Sequence, residues 1–159
     1  MAATSYFLHI NTPVDTLELE ASDTHLLAIR FSSFKQKTEK MPSTHQILNN
    51  TKLQLKEYFK GKRNQFDLPL RAEGTSFEQD VWQQLCHINY GSTITYSELA
   101  KRLGDINKVR AVGRANGSNP LPIVIPCHRV IGVNNKLVGY GGGIENKRWL
   151  LQHEGALLL

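Results

Sequence analysis

Cys127 is the residue whose neighbours most suggest a reaction centre. It closes the run Asn119-Pro120-Leu121-Pro122-Ile123-Val124-Ile125-Pro126-Cys127-His128-Arg129-Val130. Three prolines around a short β-branched stretch describe a rigid, extended, buried segment that ends on a thiol beside an imidazole and a guanidinium. An ordinary thiol, with a pKa of about 8.5, is only a few per cent thiolate at pH 7, and a positive neighbour or a nearby base makes it nucleophilic. These residues leave two readings open: a cysteine nucleophile, or a buried thiol packed as a small apolar side chain. The chain has 2 cysteines, too few for a disulfide scaffold or a zinc site built mainly on thiolates. Cys86, the other one, belongs to a helical stripe and reads as a buried small hydrophobe.

A second chemical signal precedes the thiol. Lys101, Arg102, Lys108, Arg110 and Arg114 face only Asp105 within fourteen positions. This is either a phosphate-facing surface or a solvated helix face. Tyr96 to Leu103 reads as a short helix closed by Gly104, a turn follows, and a second helix runs from about Lys108 to Asn116. Two short helices across a tight glycine-containing turn make a helix-turn-helix pattern. The second helix carries Ala111, Gly113, Ala115 and Gly117 in place of long base-reading side chains. That suits close, sequence-indifferent backbone approach to a narrow groove with Arg110 as a wedge, and it equally suits helix packing.

Other elements must position these groups. With 159 residues, 40% hydrophobic and 21% charged, the chain is that of one ordinary domain or a small domain fused to a slightly larger one; disordered, collagen-like and solenoid classes are excluded. The apolar runs are far shorter than the roughly 20 residues of a membrane span. The N-terminus has no export signal, so an intracellular, cytoplasmic protein is expected. A net charge of +5 permits a polyanionic partner without requiring one.

Tyr6 to Ile10, Thr16 to Glu20 and Leu26 to Phe31 read as strands of a small antiparallel meander separated by turn residues. Lys35 to Lys40 is a polar connector. A helix starts near Pro42-Ser43, carries Leu48, Thr51, Leu55 and Phe59 on one stripe and stops at Gly61. The expected organisation is a sheet-plus-helix domain over 1–74, with Lys62 to Gly74 as linker, and a mostly helical domain over 75–159. Thr75 and Glu78 form a capping box at the start of the latter, with Phe77, Val81 and Leu85 as its first apolar stripe.

Ile125-Pro126-Cys127-His128-Arg129-Val130, preceded by Arg110-Ala111-Val112-Gly113 and Asn119-Pro120 and followed by Gly139-Tyr140-Gly141-Gly142-Gly143, resembles the O6-alkylguanine-DNA alkyltransferases. The likeness spans the C-terminal unit from Gly74-Thr75 to Glu154-Gly155 and reaches Thr12-Pro13 and Glu57-Tyr58-Phe59 in the first. It implies an α/β protein: an N-terminal antiparallel sheet plus helix of ribonuclease H-like type, then a mostly helical C-terminal domain with a winged helix or helix-turn-helix-like motif. The implied activity is DNA repair by direct reversal. O6-alkylguanine, with O4-alkylthymine as a further substrate, is flipped out of duplex DNA and its alkyl group moves irreversibly to Cys127, once per molecule.

The resemblance also implies residue roles. Cys127 accepts the alkyl group, His128 acts as a base through a bridging water, Glu154 orients it, Asn119 braces the backbone, and Tyr96 donates a proton towards the departing guanine. The carbonyls of Cys127 and Val130 take the guanine amino group, the Gly141 N–H reaches O6, Tyr140 walls the pocket and Lys147 stands near the site or is a solvated helix residue. Arg110 fills the vacated stack, with Ser97, Ala111, Gly113 and Arg114 also on the DNA side. Gly139 and Gly141 to Gly143 let a lid close over the flipped base. Asn116 and Gly117 stand where vertebrate members often have larger residues, which opens the pocket to bulkier alkyl groups. No metal, no cofactor and no membrane are expected, and a monomer acting on damaged duplex DNA, nucleoid-associated in a bacterium, is. Cys127 argues against the non-repairing alkyltransferase-like proteins, which lack the acceptor. Two cysteines leave no material for the zinc domain of an adaptive-response regulator, and a cysteine hydrolase is the other enzymatic class.

Overall fold

The computed structural model describes residues 4–32 and 44–156. It divides into two compact units, Met1–Ala72 and Glu73–Leu159.

In the first unit, β1 (Tyr6–Thr12), β2 (Asp15–Ala21) and β3 (Leu26–Ser32) form an antiparallel sheet in that order. Strict alternation in β2 sends Leu17 and Leu19 to the core while Glu18 and Glu20 stay on the other face to bind Arg30 at 3.0 and 2.6 Å. Helix α1 (Gln46–Phe59) packs on the sheet through Leu48, Thr51, Leu55 and Tyr58. His45 is its N-cap, its Nδ1 accepting from the Leu48 N–H. The Pro42-Ser43 start and the Lys35 to Lys40 connector lie outside the described residues.

The expected linker is a correction. Its central part belongs to the first unit: the Leu26 N–H donates to the Pro69 carbonyl at 2.7 Å and the Arg71 N–H to the Leu26 carbonyl at 3.0 Å. Gln54 clamps Asp67 through both amide atoms, donating to its carbonyl and accepting its N–H. Backbone pairing and a buried amide outweigh the charged, proline-containing composition that suggested a free connector.

The second unit begins with α2 (Ser76–Leu85), where Thr75 and Glu78 form the reciprocal capping box. The two-residue strand β4 (Ile94–Thr95) leads directly into α3 (Tyr96–Arg102). A 3-10 turn at Ile106–Lys108 connects to α4 (Val109–Gly117), which packs on α2 and α3 through Val112 and Ala115. Trp82 on α2 donates its indole N–H to the Ala115 carbonyl at 2.8 Å. Strand β5 (Val130–Ile131) pairs in parallel with β4, and α5 (Ile144–His153) closes the unit. Cys86 is the C-cap of α2 and an exposed residue, which corrects the expectation of a buried one. Helix termination turns it outward, beyond the Val81–Leu85 stripe. Among the described residues, no helix is long and apolar enough to cross a membrane.

Candidate active site and nucleic-acid interface

The segment before Cys127 is rigid for identifiable reasons. Asn119 accepts the Leu121 N–H at 2.9 Å and donates to the Ile125 carbonyl at 2.8 Å, clamping the loop at both ends. Inside it Ile123 has a φ of 74°, a left-handed conformation that a β-branched residue adopts only when its surroundings impose it. The ring of Pro126 restrains its φ, which is −82° with ψ 66°, and the Cys127 N–H donates to the Ile125 carbonyl at 2.8 Å. That is an inverse γ-turn, and it delivers Cys127 into the single 3-10 turn Cys127–Arg129.

Cys127 is 5% exposed. Burial pushes its thiol pKa up, opposed by Asn119, by the charge of Lys147 and by Tyr140. The resting sulfur is therefore a thiol. Arg129 does not serve as its positive neighbour. Nε of Arg129 instead donates to Glu154 Oε1 at 2.8 Å, Nη2 to Oε2 at 3.1 Å, and Nη1 to the Ile88 carbonyl at 2.7 Å. Its guanidinium also lies 5.7 Å from the Tyr90 ring centroid.

His128 is fully buried and its Nε2 is 2.8 Å from Glu154 Oε2. Burial holds the imidazole below its ordinary pKa despite the carboxylate. Burial alone would raise Glu154, but its hydrogen bonds and charge contacts with His128 and Arg129 pull it well below the carboxylate range. The resulting state is an ionised Glu154 accepting from a neutral His128. That fixes the proton on Nε2 and leaves Nδ1, buried and without a hydrogen-bond partner among the described residues, as the basic nitrogen.

Parallel pairing of Thr95 with Ile131 brings Tyr96, the first residue of α3, beside the acceptor turn. Its hydroxyl donates to the Val138 carbonyl at 3.2 Å. Burial raises its pKa, an effect the Asn116 amide opposes. Lys147 projects from α5 and is fully buried, which excludes the solvated-helix alternative. Its ammonium donates to the Val130 carbonyl at 2.7 Å, to Val138 at 3.2 Å and to Gly139 at 3.4 Å, and burial lowers its pKa to about 8. Both carbonyls expected to receive a guanine amine are thus engaged already. That of Val130 holds Lys147, and that of Cys127 accepts the Val130 N–H and Asn116 Nδ2, the latter at 3.3 Å.

A cleft of about 520 Å3 opens next to this cluster, lined by Tyr96, Val109, Gly113, Asn116, Gly117 and the loop Val138–Gly141. Tyr140 and Gly141 belong to that wall. Gly139 and Gly143 take positive φ values of 58° and 96°, which only glycine adopts freely. Arg110 and Arg114, one helical turn apart, are exposed on α4 and take no part in the cleft lining. Lys101, Arg102 and Lys108 are exposed nearby, and Ser97 and Ala111 are half-buried. Among the described residues, no cluster of three His, Cys, Asp or Glu side chains could hold a metal ion.

Two contacts escaped the sequence reading: that of Arg129 with Glu154, and that of Asn116, which the resemblance gave only as a small pocket residue, with the Cys127 carbonyl. Arg129 was visible as a neighbour, but its partner lies 25 residues away. Asn116 carried a findable signal: it lies four residues after buried Val112, so helical periodicity puts its amide on the inner face of α4.

Comparison with known proteins adds an independent finding. The family described as 6-O-methylguanine DNA methyltransferase, DNA binding domain, matches residues 76–156, and its ribonuclease-like domain matches residues 5–72. A methylated-DNA–protein-cysteine methyltransferase of Methanosarcina acetivorans is 40% identical over 154 residues, covering 95% of this chain and 99% of that one. The crystal structure of Mycobacterium tuberculosis O6-methylguanine methyltransferase superimposes with a TM-score of 0.83 at 39% identity, covering 96% of this chain and 93% of the other. The Mycobacterium tuberculosis protein OGT in complex with DNA gives 0.82 at 41% identity, covering 92% and 91%.

Proposed function

The chain belongs to the methylated-DNA–protein-cysteine methyltransferase family, and from that membership we propose that it repairs DNA by moving an alkyl group from O6 of guanine to its own Cys127. The observation that carries this reading is the buried Cys127 thiol followed directly by a neutral imidazole whose Nε2 proton is tied to an ionised carboxylate, beside a cleft large enough for a base.

The C-terminal unit does both jobs. Arg114, with Lys101, Arg102 and Lys108, meets phosphates on the duplex, while Ser97, Ala111 and Gly113 let the backbone come close. Base pairing hides the O6 substituent, so the nucleotide leaves the stack at a cost of a few kcal/mol, and Arg110 fills the gap. The base enters the cleft between Tyr96 and Tyr140. Val130 and Cys127 carbonyls and the Gly141 N–H border its polar edge, with Lys147 holding the strand and loop that carry them.

The thiol proton passes towards Nδ1 of His128, through a water where the gap requires one, and the sulfur lone pair attacks the alkyl carbon. The carbon–oxygen bond breaks, its electrons restore the guanine carbonyl, and N1 takes a proton from the Tyr96 hydroxyl, which the proton held by His128 ultimately replaces. In balance, a thiol and O6-methylguanine become a thioether and guanine. A thioether has no low-barrier route back, so each molecule acts once. O4-alkylthymine, whose carbon–oxygen bond has the same chemistry, is a second substrate. The protein works as a monomer in the cytoplasm, at the nucleoid in a bacterial cell.

Incubation with a duplex bearing one O6-methylguanine, followed by mass spectrometry, tests the proposal. The expected product is one methyl group per chain on the peptide holding Cys127, none on Cys86, and none at all in Cys127→Ser. Turnover beyond one equivalent, or methylation at Cys86, overturns it.

A further inference from the structure

The connection between α2 and β4 meets the pair formed by Arg129 and Glu154 at three points. Arg129 Nη1 donates to the Ile88 carbonyl at 2.7 Å. The guanidinium lies over the half-buried ring of Tyr90, its central carbon 5.7 Å from the ring centroid. Gly91, at φ 82°, runs so close to the end of α5 that a Cβ there would stand 3.2 Å from the Glu154 carbonyl oxygen.

These contacts are complementary. A guanidinium donates its hydrogen bonds in its own plane, so Glu154 and Ile88 hold its edges, and an aromatic ring is what can hold its face. Burial and the charge of Glu154 raise the Tyr90 phenol above its ordinary pKa, against the charge of Arg129, so the ring is neutral and its face attracts a cation. Arg129 is 7% exposed, and a cation held inside the fold keeps its place only while its partners are aligned. Residues 88–91 take no part in the cleft lining. They act on the carboxylate that receives His128 Nε2–H, and the same segment runs on through β4 into Tyr96.

We infer that Tyr90 is a positioning residue: its ring keeps the Arg129 guanidinium in its two-nitrogen contact with Glu154, while Gly91 leaves room for the backbone of that carboxylate, so that residues 88–91 set the orientation of the His128 imidazole from outside the cleft. This rests on the alkyl-transfer reading above and adds a support to its relay.

The charged groups that face His128 are Lys147 on α5, Glu154 at the C-cap of that helix, and Arg129 beside it in the chain. Glu154 favours the protonated imidazole, and Arg129 and Lys147 oppose it. A guanidinium that slips from Glu154 leaves the imidazole facing a less compensated carboxylate, so the pH at which His128 takes up a proton and transfer fails should rise.

Single-turnover transfer from a duplex bearing one O6-methylguanine is measured from pH 8 down to about pH 5 for the full chain and for Tyr90→Phe, Tyr90→Leu, Tyr90→Met and Gly91→Ala. The amplitude counts competent molecules and the rate constant reports the site, so a partly misfolded fraction does not enter the comparison. Tyr90→Phe keeps the ring and should leave the acid limb in place. Tyr90→Leu, Tyr90→Met and Gly91→Ala should move the limb up by about half a pH unit, which is about a threefold lower rate at any pH on it. A packing role alone would leave the limb where it is. A limb unmoved in the two apolar variants, or moved as far in Tyr90→Phe, overturns the role of the ring, and one unmoved in Gly91→Ala overturns that of the close approach; both leave alkyl transfer standing. Absence of transfer by the unsubstituted protein at every pH overturns the alkyl-transfer reading and this inference with it.

Discussion

Arg129 binds Glu154 through two nitrogens, at 2.8 and 3.1 Å, and thereby holds ionised the same carboxylate that accepts the hydrogen bond of His128 Nε2. Three consecutive residues thus divide the work: Cys127 carries the sulfur, His128 the basic nitrogen, and Arg129 anchors the anion that orients the imidazole.

Removing either charge of this buried pair should be costly. Glu154→Gln leaves the Arg129 guanidinium without its anion, and Arg129→Met leaves the buried carboxylate with a neutral imidazole and no cation, each lowering unfolding free energy by about 3 kcal/mol. The double variant should recover part of the loss, because its partners are lost together. Urea unfolding measures all three; strictly additive losses would separate the two residues.

Acid should unfold the C-terminal unit in two stages. The imidazole of His128 is held below its ordinary 6.5, so below about pH 6.5 the unfolded chain takes up a proton that the folded one refuses, and stability falls. Glu154 is also depressed in the fold, so its contribution is complete above 4.5 and is lost as pH falls further. Thermal unfolding followed from pH 8 to pH 3 should show the decline beginning near 6.5 and steepening below 4.5. In Glu154→Gln the steeper part should shrink, leaving what Glu78, which is also depressed in the fold, contributes.

Tyr96→Phe removes both the proposed proton donor and the hydrogen bond to the Val138 carbonyl. Single-turnover transfer should slow by about a hundredfold. The phenol sits above its ordinary 10.0, so its protonation should impose no loss of rate below pH 10. Quenched-flow rates across that range check both points.

Lys147 should impose an alkaline limit instead. Its ammonium opposes the upward push on the Cys127 thiol, and it is lost as pH rises through about 8. The transfer rate should therefore show a break near pH 8. Lys147→Met should be slower by about tenfold below that pH and lack the break. A break that survives the substitution belongs to another group.

Arg110→Ala should impair repair of a duplex about tenfold more than reaction with free O6-benzylguanine, which needs no extrusion. Affinity for DNA should fall steeply with salt and vary little with sequence. Equal losses on both substrates would assign Arg110 to the fold.

Regular elements were legible where local chemistry decides them. The alternation through Leu17 and Leu19 marks β2, and Thr75 with Glu78 marks the start of α2, because both signals act within a few residues. The segment before Arg71 misled because its proline and charges describe a connector, whereas its pairing with Leu26 is set across the fold. At the candidate site, Cys127 and His128 announce themselves as neighbours, and family resemblance brought Glu154 to them. Nothing local to Arg129 reveals that it faces Glu154 and not the thiol. The burial of Lys147 is similarly invisible, since a lysine in a charged helix reads as solvated until three carbonyls converge on it.

The dependence of His128 and Arg129 on Glu154 has a consequence for biosynthesis. A ribosome adding about 5–20 residues per second reaches Glu154 some 25 residues after Arg129, a delay of about 1–5 s. Until then a guanidinium and an imidazole have no anion to justify burial, so the nascent chain cannot close around Cys127. The thiol spends translation as an ordinary cysteine. Burial of the acceptor turn thus waits on a residue made 25 positions after Arg129.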